Sequence, residues 1–366
     1  MRSSARIGAQ ELRQALALVN EKVEEVCRKR PDVNLMEVCG THTMAIGSFG
    51  LRSALHPRLR LRSGPGCPVC VTTQSEIDRA IRLAFFKGVT VVTFGDMMRV
   101  PGAAGSLAEA QAEGADVRVV YSPRDGLEMA QQAPGQEFVF LGVGFETTAP
   151  AVAATVVEAK ARRVKNFSVL PMFKLIPPAL AVIASSRRIN VDGFILPGHV
   201  STIIGARPYR FLVTRYRLPC CITGFEAGDI LAGIFILLEQ IARGVPAVAI
   251  QYRRSVRQEG NPMAKRLMAR VFKKVDAEWR GIGRIRASGL RFKKGYESFD
   301  ASRRFGLPVL KGKGKPSACR CGEVMLGLIL PPECRLFGRS CTPAQPVGPC
   351  MVSSEGACAA YYKYER

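Results

Sequence analysis

Twelve cysteines and three histidines are the side chains of this 366-residue chain best suited to metal or redox chemistry, and the cysteines are unevenly spread. Six of them (Cys319, Cys321, Cys334, Cys341, Cys350 and Cys358) fall in the last 48 residues. They run as C-x-C, twelve residues, C-x6-C, eight residues, then C-x7-C, in a segment that also holds five prolines. Thiolates at such irregular separations suit a cluster held by loops, and four of them could ligate iron–sulfur or zinc. Zinc sites usually show two close C-x2-4-C knuckles, and this segment has none, so iron–sulfur is favoured. The ordinary alternative is a set of buried structural thiols.

Gly64-Pro-Gly-Cys67-Pro-Val-Cys70 places a CxxC pair after a glycine turn and before an expected helix, Gln74–Phe86. A thiol at a helix N-terminus has a lowered pKa because the thiolate faces the positive end of the dipole. The pair therefore reads as a reversible dithiol. The alternative, half of a zinc knuckle, lacks a second CxxC. In Met36-Glu-Val-Cys39-Gly-Thr-His42-Thr43, a thiol and an imidazole three residues apart follow a short apolar run and can reach one metal ion. A cysteine-protease dyad is the rival, and a satisfied core histidine the bland reading. His199 also lies in a glycine-marked strand-end loop, which favours function. Glu146-Thr147-Thr148 and Glu226 sit in loops of the same kind, where helix capping is the simplest role. Cys27, Cys220 and Cys221 read as buried small hydrophobes.

These loops need elements to hold them. Leu12, Leu16, Val19, Val23 and Val26 form one helical stripe, ended by Pro31. Short apolar runs then alternate with helical stretches: Val89–Phe94, Phe138–Val143, Phe167–Leu170, Gly193–Leu196 and Cys220–Thr223 are expected strands. Ala149–Lys160 and Asp229–Arg243 are expected helices. Such alternation argues for α/β layers with parallel sheets, whose functional groups gather beyond the strand C-terminal ends. Gly-Phe-Glu occurs after two of the strands, a weak hint of two related α/β halves. A basic helix, Pro262–Lys274, Gly-rich turns, a Lys311–Pro316 linker and the Cys-rich tail follow.

Composition narrows the class. The chain is 47% hydrophobic and 23% charged, with no run of 18 apolar residues, which predicts a globular protein without a membrane span. MRSSARIGAQELR has no apolar core, so no secretory signal is expected, and free clustered thiols fit a reducing cytoplasm. The formal charge is +23, and the window Arg253–Arg320 carries 20 Lys or Arg against 5 Asp or Glu. Such a block binds nucleic acid or an acidic partner, or is simply a solvated surface. Without an RNP or zinc-finger pattern, nucleic acid is disfavoured.

The motifs together resemble the HypD family of hydrogenase maturation factors. The matching stretches are MEVCGTHT, GPGCPVC, TFGDMMRVPG, GFETTAP, LPGHVS, ITGFE with DIL, EGN, and CTPAQPVGPCMVSSEGACAAYYKY, in the family's order from Met36 to the tail. Cys27, the Cys220–Cys221 pair and the strong basic charge belong to none of these motifs. The resemblance implies an α/β fold of two related domains with parallel sheets plus a third, Cys-rich iron–sulfur domain. On this reading 1–34 is a helix packing with the third domain, 35–130 and 131–250 are the α/β domains, and 251–366 is the basic and Cys-rich domain.

The resemblance also implies a scaffold on which the Fe(CN)2CO centre of nickel–iron hydrogenases is assembled. The iron would be held between this protein and the small partner HypC, cyanide would come from HypE with HypF upstream, and the hydrogenase large subunit would receive the product. Cys39 would be the iron ligand. Cys67 and Cys70 would cycle between disulfide and dithiol, fed by a 4Fe-4S cluster, and His42, Thr43, Glu146, Thr147 and His199 would line the iron pocket. For the cluster, six cysteines compete for four places. If Cys319 and Cys321 lie in an extended segment, they point to opposite faces, and Cys321 is preferred because Gly322 follows. Cys334 and Cys341 flank a loop with Gly338, and Cys358 sits at the expected start of a last helix, with Cys350 as its rival. The expected set is Cys321, Cys334, Cys341 and Cys358. An iron–sulfur nucleic-acid-binding protein and a stand-alone thiol–disulfide oxidoreductase are the competing functions.

Overall fold

The structure, a computed structural model, describes residues 8–308 and 318–365. The Lys311–Pro316 linker lies outside the described residues. Two all-parallel sheets form the frame. The first contains β1 (Val33–Glu37), β2 (Leu59–Ser63), β7 (Gly193–Leu196), β8 (Cys220–Ile222) and β9 (Val248–Ile250), in the order β2-β1-β7-β8-β9. The second contains β3 (Val89–Thr93), β4 (Val117–Val119), β5 (Glu137–Gly142) and β6 (Phe167–Pro171), in the order β4-β3-β5-β6. β1, β3, β6 and β7 are buried along their whole length, as parallel strands covered by helices on both faces must be.

Strand order corrects the expected division of the chain. The first sheet is begun by β1 and β2, interrupted by the whole second sheet, and completed by β7 to β9. No cut near residue 130 separates the two; it would fall inside the second sheet. A parallel sheet can accept late strands because its neighbours need only adjacent edges, not adjacent sequence. Within each sheet the strands in chain order give the same pattern, second-first-third-fourth, so the two α/β units are alike. The Gly-Phe-Glu echo is not the reason: one copy follows the third strand of its sheet (β5) and the other follows the fourth (β8).

The first helix, Ala9–Cys27, buries Val19, Val23, Val26 and Cys27, and ends ahead of Pro31. It packs along helix Ala227–Arg243 of the first sheet, in one core with Leu35, Ile195 and Cys221, and not against the Cys-rich segment as expected. Its stripe finds the nearest large apolar helix face, which Ile230, Ile234, Leu237 and Leu238 supply. The basic helix ends at Val271, earlier than expected. Phe272-Lys-Lys-Val-Asp-Ala-Glu-Trp279 continues as β10, paired antiparallel with β11 (Gly283–Phe292) and bulged between Val275 and Ala277. Its two buried ends, Phe272 and Trp279, and mostly open middle are a strand pattern that Gly-rich flanks concealed.

In an open parallel sheet, the crevice lies where strand order reverses, beyond the strand C-terminal ends. In the first sheet that point is between β1 and β7, so the loops carrying Cys39 and His42 and the loop carrying His199 share one crevice. In the second sheet it lies between β3 and β5, whose following loops carry Asp96 and Glu146.

Candidate functional site

Cys39 follows β1 and is the N-cap residue of helix Gly40–Ser48. Its sulfur makes no capping hydrogen bond, but it faces the first turn of that helix, where the open backbone N–H groups of Thr41 and His42 pull its pKa down. These favour a thiolate. Burial opposes it more strongly, aided by the nearby Glu355 carboxylate, and pushes the thiol up to about 12. The residue is 8% exposed, so the sulfur is a neutral thiol in a cradle built for an anion. A cation can displace that proton and use the cradle.

His42 is fully buried on the same helix. Its Nε2 lies 2.9 Å from the Gly224 carbonyl and 2.8 Å from the Thr223 hydroxyl, both in the loop after β8. Burial holds its pKa down to about 4, so the ring is neutral. The carbonyl fixes the proton on Nε2, and Nδ1 is left without a partner. Phe225 packs between the two imidazoles, its ring centroid 4.7 Å from that of His42 and 4.0 Å from that of His199. Three strand-end loops thus meet on one aromatic ring. Thr43 sits beside them but is turned inward, where its hydroxyl donates to the Cys39 carbonyl (3.4 Å).

The Gly64–Cys70 loop lies directly against Cys39. The Gly40 N–H donates to the Gly66 carbonyl (3.1 Å). A Cβ on Gly66 would stand 2.3 Å from the Cys39 nitrogen, and one on Gly64 would stand 2.6 Å from Val38 Cγ1. Only glycine allows this approach. Cys67 and Cys70 are joined as a disulfide with Cα atoms 5.3 Å apart. The Cys70 N–H donates to Cys67 Sγ (3.1 Å), because Cys67 caps a one-turn helix, Pro68–Val71. The longer helix, Gln74–Ala84, starts beyond the pair and is capped by Thr73, so the expected dipole acts through the short turn instead.

The C-terminal cysteines collect behind this disulfide. Helix Pro349–Val352, with Cys350, packs against Pro68–Val71, and Cys67, Cys70, Cys321, Cys341, Cys350 and Cys358 belong to one continuous core. Arg280 ties the two regions: its N–H donates to Val71 O (2.9 Å), its Nε to Thr72 O (2.7 Å), and its charge acts on Cys321. Cys321 bonds to both Cys319 and Cys350, and Cys350 also to Cys358. Hydrogen bonds from its neighbours hold the Cys321 thiol well below its usual value, while the thiols of Cys319 and Cys350 are pushed up.

The expected divergence of Cys319 and Cys321 does not occur. Arg320 between them has φ −100° and ψ 21°, which is not extended, and both sulfurs turn to the same side. Burial, with Cys358 and Cys334 nearby, pushes the Cys341 thiol up, and the Val347 N–H donates to Cys341 Sγ (3.3 Å). Soft sulfurs, an amide aimed at Cys341, and Gly348 against the sulfurs of Cys319 and Cys321 are a donor set of the kind an iron–sulfur cluster takes. In this arrangement the sulfurs bond one another; no three Cys, His, Asp or Glu side chains converge as a metal site among the described residues. A cleft of about 610 Å³ lined by Cys319, Cys321, Gly322 and Arg280 leads to them from solvent.

Two expected residues stand apart. Glu146 accepts the Ile176 N–H (3.1 Å) at the start of helix Ile176–Ser185, and none of its contacts is with Cys39 or His42. Thr147 is exposed. Glu226 is the N-cap residue of helix Ala227–Arg243, the capping role expected of it. Sequence reasoning missed Thr41, Phe225, Asp96 and Glu355. The Thr41 hydroxyl donates to Glu355 (2.9 Å), the Ser353 hydroxyl donates to Asp96 (2.8 Å), and a Cβ on Gly40 would strike Glu355. The Ser353–Gly356 turn therefore joins the crevices of both sheets. The SSEG stretch was visible, but only folding brings it against Asp96 and Thr41, 257 and 314 positions away.

A two-sheet α/β frame with a crevice thiol, a buried disulfide and a cysteine-rich tail defines a thiol-rich α/β protein. The comparisons give its family. The family described as "Hydrogenase formation hypA family" (HypD) matches residues 14–365. The chain is 44% identical over 339 residues to the hydrogenase maturation factor HypD of Escherichia coli K12, covering 92% of this chain and 90% of that one. It is likewise 44% identical over 344 residues to the Cupriavidus necator HypD (91% and 90%), and 43% identical over 336 residues to the Rhodobacter capsulatus HypD (91% and 89%). The chain belongs to the HypD family of hydrogenase maturation factors. No helix among its described residues is long and apolar enough to cross a membrane.

Proposed function

We propose that this maturation factor is the cytoplasmic scaffold on which an iron carrying two cyanides and one carbon monoxide is built, and that it also supplies electrons for that assembly. The observation that carries the reading is that the Gly64–Cys70 loop lies directly against Cys39 while its disulfide shares one core with Cys321, Cys350 and Cys358. Cys39 releases its proton as it takes the iron, and the Thr41 and His42 donors then hold its thiolate in place. A second thiolate from a HypC-like partner completes a soft donor pair in the crevice.

Releasing cyanide from a thiocyanate-like donor on a HypE-like partner, itself loaded by HypF, consumes two electrons and a proton and leaves a thiol. Cys67 and Cys70 as a dithiol give those electrons and become a disulfide. Cys321, Cys334, Cys341 and Cys358 would hold a 4Fe-4S cluster, which would supply single electrons; Cys319 is the alternative to Cys321. Neutral His42, and His199 across Phe225, present hydrogen-bonding edges at the crevice where the cyanides stand. The product passes to the hydrogenase large subunit, and the protein acts as a scaffold rather than a turnover enzyme.

The test is infrared spectroscopy of the protein co-purified with its small partner. Cyanide and carbonyl stretches on iron are expected in the wild type and absent in Cys39→Ala, with the fold and tail iron retained. Cyanide bands persisting in Cys39→Ala would overturn the assignment.

A further inference from the structure

The basic window has no task in the reading above, and its lysines gather at one place. A groove of about 850 Å³ runs between helix Ile176–Ser185, helix Pro262–Val271 and the β10–β11 hairpin. Its walls are apolar, with Leu175, Pro178, Ile204, Phe211 and Phe272, and its rim carries Arg215, Lys265, Lys273, Lys274 and Lys293. All five cations are exposed.

Among the described residues none of these five forms an ion pair with a carboxylate. Lys265 and Lys293 donate to the backbone carbonyls of Glu259 and Ala269, and Arg215 lies over the Tyr216 ring, 5.3 Å from its centroid. Elsewhere cations find partners, as Lys174 does with Glu76 and Arg254 with Asp229. The one acid in the groove wall, Glu146, is buried and already accepts the Ile176 N–H. The groove is thus a positive rim around an apolar floor, with a single buried carboxylate, Glu146, that Lys274 acts on, against five cations.

We propose that this groove is a docking site for an acidic peptide segment of a partner protein, one that alternates carboxylates with leucine-like anchors. The rim from Lys265 to Lys273 follows the helix for on the order of 10 Å, longer than a single small anion reaches and right for several residues of a peptide. The lining has no glycine turn and no Ser, Thr, Asn or Gln, with Tyr216 its one hydroxyl, so it lacks the turn amides that usually cradle phosphates and the side-chain amides that read base edges. Apolar side chains on the floor and carboxylates at the rim satisfy both halves of the lining at once. The site is separate from the Cys39 crevice, and its test does not depend on iron assembly.

The probe is a fluorescein-labelled peptide of alternating Glu and Leu, followed by fluorescence anisotropy on the full chain at physiological salt. Peptides with Gln for Glu, and with Ser for Leu, are the controls, together with a single-stranded homopolymeric RNA. Binding of the Glu/Leu peptide is expected to be at least about tenfold tighter than of either control peptide. The triple variant Lys265→Glu/Lys273→Glu/Lys274→Glu should lose it and gain a Lys/Leu peptide instead, which shows that the variant is folded. Arg257→Glu, exposed and outside the groove, should bind as the wild type does. No binding, equal binding of the Gln/Leu peptide, equal loss in Arg257→Glu, or tighter binding of the RNA through the same lysines would each overturn the proposal.

Discussion

The two ends of the thiol seam handle a buried sulfur in opposite ways. At the crevice, Cys39 stands alone among donors, and burial keeps it protonated, up to about 12. In the tail, Cys321 has thiol neighbours, and their hydrogen bonds hold its thiol well below the usual value while those of Cys319 and Cys350 are pushed up. A lone buried thiol waits for a cation to take its proton's place, whereas crowded thiols shift one another in opposite directions. The first arrangement suits loading and unloading of a passing iron. The second suits a group that stays.

The largest effect expected on the tail side is loss of bound iron. Cys334→Ser, Cys341→Ser and Cys358→Ser should each lose the cluster by iron counting and electron paramagnetic resonance, while Cys350→Ser keeps it. The reverse result for Cys350 and Cys358 would mean that the thiol network, not the tail's last helix, supplies the fourth ligand. Cys321→Ser against Cys319→Ser settles the first place in the same way, which geometry alone leaves balanced because both sulfurs face the same side.

Between the two ends, Cys67→Ser should remove a two-electron step from a redox titration followed by thiol trapping. An unchanged titration would reduce the disulfide to a strut.

A smaller effect compares packing at the two ends. A Cβ on Gly66 would stand 2.3 Å from the Cys39 nitrogen, and one on Gly356 would stand 2.1 Å from the Cys350 carbonyl oxygen. Gly66→Ala and Gly356→Ala should each destabilise by about 1–3 kcal/mol in urea unfolding. Of the two, Gly66→Ala should also change the alkylation rate of Cys39. Equal Cys39 reactivity in both variants would break the link between the loop and the thiol.

The smallest effect isolates burial from neighbours. Glu146, like Cys39, is raised chiefly by burial, here to about 7. Its folded-state value lies above its unfolded one, so the folded protein binds the extra proton. Stability should be fullest below about pH 4.5 and fall as pH rises toward 7, on the order of 3 kcal/mol from this group. Glu146→Gln should flatten that slope by comparison with the wild type. An unaltered slope would mean that its neighbours already stabilise the charge.

Local pattern alone was enough for much of the frame. The buried runs at Val89, Phe138, Phe167, Gly193 and Cys220 are strands, and the stripe from Val19 to Val26 is a buried helix face, because side-chain periodicity depends only on backbone repeat. The family motifs, the crevice thiol and the CxxC turn were legible too, since each is set by a few adjacent residues. Tertiary structure alone decided which strands share a sheet, because parallel pairing ignores sequence distance, and so placed the second sheet inside the first. It turned Cys319 and Cys321 the same way through one non-extended residue, withdrew Glu146 to a helix start, and set Glu355 against Thr41 across three hundred residues. Those outcomes depend on what lies opposite each side chain once the sheets close, and a one-dimensional spacing carries no information about the opposite wall.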